Sequence, residues 1–303
     1  MTEDDDREHT PAANVNGETR VTGLIGDPIA HTRSPAILNA GFVACGLNWI
    51  YVPFPAPAGH GGDAVRAARA LGLAGLTVTM PNKADAAHAC DELTPAAAAL
   101  GAVNVVTVGE GGRLLGSSTD GEGLVRSVQE EGFEPAGRDA LVLGAGGAAR
   151  AIVLALANAG ARVTVAARRL AAAEAAAGLA FAAQRPQGGA GSGGSDGDAG
   201  TAVTLADVDP GAYALVVNAT PLGMQGEPGP VAVDRLNLGQ FVVDTVYHPM
   251  ETPFLAAARA RGIQCTNGLG MLVHQAALAF ELWTGVDAPL EVMRAAAARD
   301  PLS

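Results

Sequence analysis

The sequence is poor in lysine, aromatic residues and cysteine. Lys83 is the only lysine among 303 residues, and aromatic side chains make up 4 % of the chain. The three cysteines, Cys45, Cys90 and Cys265, lie far apart and share no metal-ligand spacing. We therefore expect reduced thiols and no metal site. No apolar run approaches the ~20 residues that a membrane-spanning helix needs, so we expect no membrane association.

Basic residues are also scarce. The 19 Lys and Arg are outnumbered by 31 Asp and Glu, which gives a formal net charge of −12. A nucleic-acid-binding protein normally has a basic surface, and this composition argues against that class. Residues 1–20 begin with M-T-E-D-D-D-R-E, which lacks the basic start and apolar core of a signal peptide. We expect a disordered acidic tail on a cytoplasmic protein.

Alanine is abundant instead, and short apolar strands alternate with helices along the chain. This pattern is typical of an α/β protein with mainly parallel sheets, and the length favours two domains. We predict two α/β lobes with a boundary near residue 120, and the last helices fit either lobe. The glycine- and serine-rich segment 185–200 is predicted to be a flexible loop. Strands are predicted at 21–26, 48–54, 75–79, 103–108, 113–119, 139–143, 162–167, 214–219 and 240–244, and helices at 34–44, 63–71, 121–131 and 270–283.

A glycine motif marks the start of the second lobe. The segment A-L-V-L-G-A-G-G-A-A-R reads as a strand, a glycine turn and a helix start. Gly144 permits the tight turn, Gly146 allows close approach of a pyrophosphate, and Ala149 occupies the last small position. The free N–H groups of the helix N-terminus favour an anion there. The motif predicts a Rossmann-type dinucleotide site.

The next strand indicates which dinucleotide binds. An NAD site usually has an acidic residue ~20 positions further on, for the ribose 2′-hydroxyl. Here the strand ends with Arg168 and Arg169, whose guanidinium groups suit a 2′-phosphate. The alternative is an exposed basic turn without function. We predict NADP.

Polar residues collect at predicted strand ends, where ligand sites of α/β sheets lie. Thr32 and Ser34 stand at a helix start that suits a carboxylate, although Ser34 with Pro35 also fits ordinary helix capping. The other four are Thr79, Lys83, Asn104 and Asp120. Each of them alone is also compatible with an ordinary turn residue.

Seven motifs in a fixed order resemble those of the shikimate dehydrogenases, and together they span roughly residues 21 to 285. They are G-D-P-I-A-H-T-R-S-P, T-V-T-M-P-N-K, G-A-V-N, S-T-D-G, G-A-G-G-A-A-R, V-N-A-T and N-G-L-G-M-L-V-H-Q-A. The resemblance implies a substrate lobe of residues 21–119 plus 269–303 and an NADP lobe of residues 120–268. It also implies reversible reduction of 3-dehydroshikimate to shikimate in aromatic amino-acid (chorismate) biosynthesis.

The resemblance further implies roles for single residues. Lys83 and Asp120 correspond to the catalytic pair, which handles the hydroxyl proton. The implied substrate residues are Thr32 and Ser34 at the carboxylate, Thr79, Asn104, Asp120 and Gln275 at the ring hydroxyls, and Tyr247. The implied cofactor residues are Gly144, Ala145, Gly146, Gly147 and Ala148 at the pyrophosphate, Arg168 and Arg169 at the 2′-phosphate, and Thr220, Gly268 and Met271 near the nicotinamide. Met271 is equally consistent with a core methionine.

The chain departs from the family pattern at four positions. Thr32 replaces the first serine of Ser-x-Ser, Thr77 and Ser118 each replace an asparagine, and Ala167 replaces an asparagine before the basic turn. None of these changes affects Lys83 or Asp120, so they bear on specificity more than on the reaction. The alternatives are a quinate or aminoshikimate dehydrogenase and a non-catalytic nucleotide-binding module. We expect a small-molecule substrate and a monomer or homodimer.

Overall fold

The structure is a computed structural model that describes residues 15–184 and 200–299. Most of the predicted acidic tail and nearly all of the predicted loop at 185–200 lie outside the described residues. The described chain forms two six-stranded sheets with helices packed on both faces. The α/β class predicted from the sequence is therefore confirmed.

The first sheet is mixed. Its strands are β1 (Arg20–Gly26), β2 (Trp49–Pro55), β3 (Gly75–Val78), β4 (Glu92–Leu93), β5 (Val105–Val108) and β6 (Leu114–Ser117). Their order across the sheet is β2-β1-β3-β5-β6-β4, with β1 parallel to β2 and β3 and with β5 antiparallel to β3 and β6. The hairpin predicted for β5 and β6 is confirmed.

Four helices follow strands of this sheet. They are α1 (Ser34–Ala44), α2 (Gly61–Ala70), α3 (Lys83–Ala89) and α4 (Pro95–Leu100), and a short 3₁₀ turn covers Glu110–Gly112. Alternate residues of β1 face opposite cores: Leu24 packs in the cluster that includes α1, and Ile25 packs in the cluster that includes α2 and α3. The sheet is thus buried on both faces, as its near-continuous apolar strands require.

The second sheet is entirely parallel. Its strands are β7 (Asp139–Leu143), β8 (Arg162–Ala167), β9 (Thr201–Thr204), β10 (Leu215–Asn218), β11 (Phe241–Asp244) and β12 (Gln264–Asn267). Their order is β12-β11-β10-β7-β8-β9, and the direction of winding reverses between β7 and β10. This is the Rossmann order, in which the ligand crevice lies at the carboxyl ends of the strands beside that reversal.

Six further helices complete the described chain. They are α5 (Asp120–Glu130), α6 (Gly147–Asn158), α7 (Leu170–Gln184), α8 (Pro253–Ala260), α9 (Leu269–Thr284) and α10 (Leu290–Ala298), with 3₁₀ turns at Pro210–Ala212 and Val233–Arg235. The predicted helix at 270–283 is confirmed as α9.

Helices α5 and α9 connect the two sheets. Leu124 and Val128 of α5 belong to the core of the second sheet, whereas Val273 and Phe280 of α9 belong to the core of the first sheet. The C-terminal helices therefore pack where the resemblance implied. The exact lobe boundaries at 119/120 and 268/269 stay predictions.

Several predicted boundaries differ from the observed ones by one or two residues, and the difference at the end of β3 bears on the site. The sequence predicted a strand from Gly75 to about Thr79, but β3 ends at Val78, and Lys83 begins a helix, α3. Pro81 lies between them and lacks an N–H group, so it cannot continue the hydrogen-bond ladder of the sheet.

Candidate active site

Lys83 and Asp120 are brought together by two helix starts. Lys83 is the first residue of α3, Asp120 is the first residue of α5, and Lys83 Nζ lies 2.5 Å from Asp120 Oδ2. The side chains are 26 % and 14 % exposed, respectively, so the ion pair is only partly screened by solvent. The structure thus joins the two residues that the sequence analysis named as the catalytic pair.

The second oxygen of Asp120 is held by Asn104. Asn104 Nδ2 donates to Asp120 Oδ1 at 2.7 Å, and Asn104 Oδ1 accepts from the Thr119 backbone N–H at 2.7 Å. Asn104 is 3 % exposed, so its amide is fixed in one orientation. Both carboxylate oxygens of Asp120 therefore have a donor, which fixes the direction in which Lys83 is held.

Thr119 is a site residue to which the sequence analysis gave no role. It is the N-cap of α5, but its side chain makes no capping hydrogen bond. Its Oγ1 instead accepts from Asn104 Nδ2 at 2.9 Å and donates to the Gln275 carbonyl at 3.2 Å. Thr119 thereby ties the Asn104–Asp120 pair to α9.

A cleft of about 250 Å³ opens beside the ion pair. Its lining includes Lys83, Asn104 and Asp120 from one side and Gly147 and Arg150 from helix α6 on the other. The cleft therefore lies between the proposed catalytic pair and the helix that follows the glycine motif. A substrate and a dinucleotide can meet there.

Arg150 is a second residue to which the sequence analysis gave no role. It lines the cleft from the first turn of α6, and its Nη2 donates to the Leu100 carbonyl at the end of α4 at 2.9 Å. The signal was present, because Arg150 is the last residue of the quoted G-A-G-G-A-A-R motif.

The residues predicted for the substrate carboxylate lie at the start of α1. Ser34 is the first residue of this helix and is 8 % exposed, and its N–H donates to Thr32 Oγ1 at 3.3 Å. The N-cap position is occupied by Arg33, which makes no side-chain capping bond there. The alternative of ordinary capping by the Ser34 side chain is therefore wrong.

Three further predicted substrate residues, Thr79, Gln275 and Tyr247, do not line the cleft, unlike Asn104 and Asp120. Thr79 follows β3, and the side chain of Gln275 donates to the Leu272 carbonyl of its own helix at 2.9 Å. Tyr247 is half-buried in the loop after β11, where burial raises its pKa and the Arg33 guanidinium lowers it. Arg33 belongs to the loop of Thr32, so its charge lies close enough to Tyr247 to act on the phenol.

The glycine motif forms an open cradle. Gly144 has φ +119°, and a Cβ there would lie 2.9 Å from the Ala219 carbonyl oxygen, so only glycine fits. Gly146 is the N-cap of α6 and provides no side-chain cap, and an added Cβ at Gly146 or Gly147 would meet nothing within 4 Å. The first N–H groups of α6, including that of Ala148, are thus available to a pyrophosphate. These residues, with Ala145 in the turn, fit a dinucleotide.

The residues predicted for the two ends of the cofactor lie on either side of this cradle. Arg168 and Arg169 follow β8 and are exposed. Thr220 lies against Gly144, whose added Cβ would be 3.2 Å from Thr220 Cγ2. Gly268 is the N-cap of α9. Met271 is partly buried and packs against the core of the second sheet, which fits the alternative of a core methionine.

The described part of the chain contains neither a metal-binding group of side chains nor a membrane-spanning helix. It holds no group of three or more His, Cys, Asp or Glu side chains placed to bind a metal ion. Within residues 15–184 and 200–299, no helix combines the length and the apolar character needed to cross a membrane.

Comparison with known proteins shows which family the chain resembles. The family model for the shikimate dehydrogenase substrate binding domain matches residues 24–106, and that for the shikimate 5′-dehydrogenase C-terminal domain matches residues 268–298. The shikimate dehydrogenase (NADP(+)) of Methanopyrus kandleri is 44 % identical over 290 residues, which cover 94 % of this chain and 97 % of that relative.

Solved structures of related dehydrogenases are also similar to this chain. Shikimate 5-dehydrogenase from Thermus thermophilus, in complex with NADP(H) and shikimate, has a TM-score of 0.81 at 33 % identity and covers 93 % of this chain and 100 % of its own. Quinate dehydrogenase from Corynebacterium glutamicum, in complex with NAD, also has a TM-score of 0.81 at 33 % identity, covering 92 % and 98 %. The chain belongs to the shikimate dehydrogenase family, and it is an NADP-dependent oxidoreductase.

Proposed function

We propose that this enzyme reversibly reduces 3-dehydroshikimate to shikimate and that Lys83 and Asp120 handle the proton. The observation that carries the proposal is the Lys83–Asp120 ion pair of 2.5 Å in a cleft whose opposite wall is the start of α6. The curated relative with 44 % identity supports the substrate as well as the reaction. A non-catalytic nucleotide-binding module has no need of such a pair.

The proton chemistry follows from the two side chains. NADPH, when bound, supplies the hydride for the carbonyl carbon of the substrate. The carbonyl oxygen then needs a proton, and the Lys83 ammonium is the donor that faces the cleft. In the oxidation direction, the neutral Lys83 amine that this donation leaves takes the proton back from the hydroxyl. Asp120 orients the ammonium and balances its charge in a site with little solvent.

Substrate recognition is assigned to polar residues around this pair. Thr32 and Ser34 would hold the carboxylate at the start of α1, where free N–H groups also favour an anion. Thr79, Asn104, Asp120 and Gln275 would bind the ring hydroxyls, and Tyr247 would approach from the loop after β11. The TM-scores do not separate shikimate from quinate, so this specificity depends on the side chains.

Cofactor recognition is assigned to the Rossmann-type half of the chain. The N–H groups of the turn and helix start would hold the pyrophosphate, from Gly144 through Ala145, Gly146, Gly147 and Ala148. Arg168 and Arg169 would bind the 2′-phosphate, and Thr220, Gly268 and Met271 would lie near the nicotinamide. We also propose the lobe boundaries implied by the resemblance, with 120–268 as the NADP lobe. The cytoplasmic location, the lack of nucleic-acid binding and the monomeric or homodimeric state stay predictions.

A steady-state assay of the purified enzyme tests the proposal. Shikimate and quinate are each offered with NADP and with NAD, and formation of the reduced cofactor is followed by its absorbance. We expect the highest kcat/KM for shikimate with NADP. A higher value for quinate, or no turnover of either acid, would contradict the proposed substrate.

A further inference from the structure

The hydroxyl of Tyr51 lies in the core beneath the proposed carboxylate site. Tyr51 is on β2 and is 1 % exposed, and its ring packs near Trp283 with the centroids 6.2 Å apart. A phenol hydroxyl buried among apolar side chains needs a hydrogen-bond partner. That partner is Thr77 Oγ1 on β3, a residue that is itself 6 % exposed.

Ser34 interacts with the same phenol. Burial raises the pKa of Tyr51 well above its usual value, and the hydroxyls of Thr77 and Ser34 both lower it. Of these two partners, only Thr77 forms a hydrogen bond of full geometry with Tyr51, so Ser34 is the weaker partner. Three hydroxyls thus lie in series from β3 through β2 to the start of α1.

Helix α1 is fastened to Tyr51 by a second contact. Asn39 Nδ2 donates to the Tyr51 carbonyl at 3.0 Å, and Asn39 Oδ1 accepts from the Tyr51 N–H at 2.8 Å. Asn39 lies on the same helix as Ser34, five positions further on. The Asn39 contacts therefore hold the start of α1 in a fixed position relative to the phenol.

The number of protons sets the direction of this series. Each hydroxyl has a single proton to donate. If Ser34 donates to a carboxylate, its oxygen is free to accept from Tyr51, and the Tyr51 oxygen then accepts from Thr77. Hydrogen bonds aligned in one direction polarise and strengthen one another.

We propose that Tyr51 and Thr77 are positioning residues, which orient the Ser34 hydroxyl toward the substrate carboxylate. This inference rests on the proposed function, because it takes Ser34 as a carboxylate ligand. It adds two buried residues that do not line the cleft and assigns a role to Thr77, one of the positions where the chain departs from its family.

The first test is Tyr51→Phe, which removes the hydroxyl and keeps the ring. We expect KM for shikimate to rise about threefold to tenfold, because one hydrogen bond to the ligand is weakened. The value of kcat and KM for NADP should stay within about twofold, since neither depends on the carboxylate. Tyr213→Phe is the matched control, because the Tyr213 hydroxyl makes no hydrogen bond with a described residue.

A double-mutant cycle separates positioning from a merely structural role. In a Ser34→Ala background, Tyr51→Phe should change KM for shikimate by less than about twofold, because the residue through which it acts is gone. If Tyr51→Phe proves unstable, Thr77→Val and Thr77→Ser give the same test. Valine removes the hydroxyl and should raise KM, whereas serine retains it and should not.

An unchanged KM in Tyr51→Phe, with an active wild type, would overturn this inference alone. An equal rise in KM with and without Ser34 would also overturn it, since the effect would then not pass through Ser34. A wild-type enzyme that does not oxidise shikimate would instead reject the proposed function, and the inference would fall with it.

Discussion

Arg168 and Arg169 present two exposed guanidinium groups at the end of β8, and neither forms an ion pair with another described residue. We expect the double variant Arg168→Ala/Arg169→Ala to raise KM for NADP about tenfold to hundredfold, because two charge-assisted hydrogen bonds are lost. KM for NAD should change little, since NAD has no 2′-phosphate. The measurement is the ratio of kcat/KM for NADP to that for NAD.

Arg66→Ala is the control for this prediction. Arg66 is an exposed arginine whose ion pair is with Asp63 on helix α2, outside the cleft lining. It should leave the cofactor ratio unaltered. A double variant with an unaltered ratio would show that the basic turn has no part in cofactor choice.

Single residues also show how much of the candidate site could be predicted from the sequence. Lys83 is notable in the sequence because it is the only lysine. Its contact with Asp120, 37 positions later, could not be predicted locally, because it requires the starts of α3 and α5 to lie close together. Thr119 illustrates the limit. A local pattern predicts a cap, whereas the side chain bonds the carbonyl of Gln275, 156 positions away. No local pattern contains such a contact.

At the scale of elements, helices α5 and α6 cross so closely that a glycine is required. A Cβ at Gly121 would lie 2.1 Å from the Ala151 carbonyl oxygen. We therefore expect Gly121→Ala to lower the free energy of unfolding by about 1–3 kcal/mol, because the two helices must move apart. Urea unfolding followed by circular dichroism measures this change.

Gly178→Ala is the matched control, because Gly178 lies inside helix α7 and an added Cβ would meet nothing within 4 Å. There the same substitution should stabilise by about 0.5–1 kcal/mol through helix propensity. A Gly121→Ala variant as stable as the wild type would contradict the close crossing of α5 and α6.

Elements with strong periodicity were predictable, and short or polar ones were not. The strands β8 and β11 and helix α9 have long apolar patterns, and the sequence analysis placed them to within one or two residues. It missed three strands: β4, which has two residues, β9, whose sequence is T-A-V-T, and β12, whose sequence is Q-C-T-N. These strands exist because a neighbouring strand pairs with them, which is a tertiary effect.

At the scale of the whole molecule, a buried carboxyl links stability to pH. Asp244 at the end of β11 is 0 % exposed, and this burial raises its pKa, although Thr252, Val246 and Asn218 donate hydrogen bonds to it. The native state therefore keeps the proton to higher pH than the unfolded chain does. Stability from this group falls as pH rises from about 3.9 through the native pKa.

Asp244→Asn removes this titration and retains an oxygen acceptor. We expect the wild type to lose stability relative to the variant as pH rises above about 4, by at most ~1.4 kcal/mol per pH unit. The measurement is the urea midpoint of both proteins between about pH 4 and pH 8. A difference that is constant over this range would contradict a raised pKa for Asp244.

Asp139→Asn is a comparison in which the pKa of the replaced carboxyl is lowered instead of raised. Hydrogen bonds from Arg162, at 2.7 Å to each carboxylate oxygen, lower the pKa of Asp139. The stability that Asp139 contributes is therefore present above about 3.9 and is lost as pH falls through the lower native pKa. Relative to Asp139→Asn, the wild type should lose its advantage only in acid.

The whole-molecule arrangement was the least accessible from local sequence. The alternation of strands and helices predicts two α/β sheets, but it does not say which core receives the last helices. Helix α9 packs Val273 and Phe280 into the first core, while Met271, near its start, contacts the second. The family resemblance supplied this arrangement, because seven ordered motifs carry information that periodicity does not.

The central claim is that Lys83 transfers the proton while the cofactor is held elsewhere. Its most direct measurement is kcat for shikimate with NADP in Lys83→Ala, together with the affinity of that variant for NADP by titration calorimetry. We predict that kcat falls about 10²–10⁴-fold and that NADP affinity stays within about threefold of the wild type. Near-normal turnover in Lys83→Ala would contradict the claim.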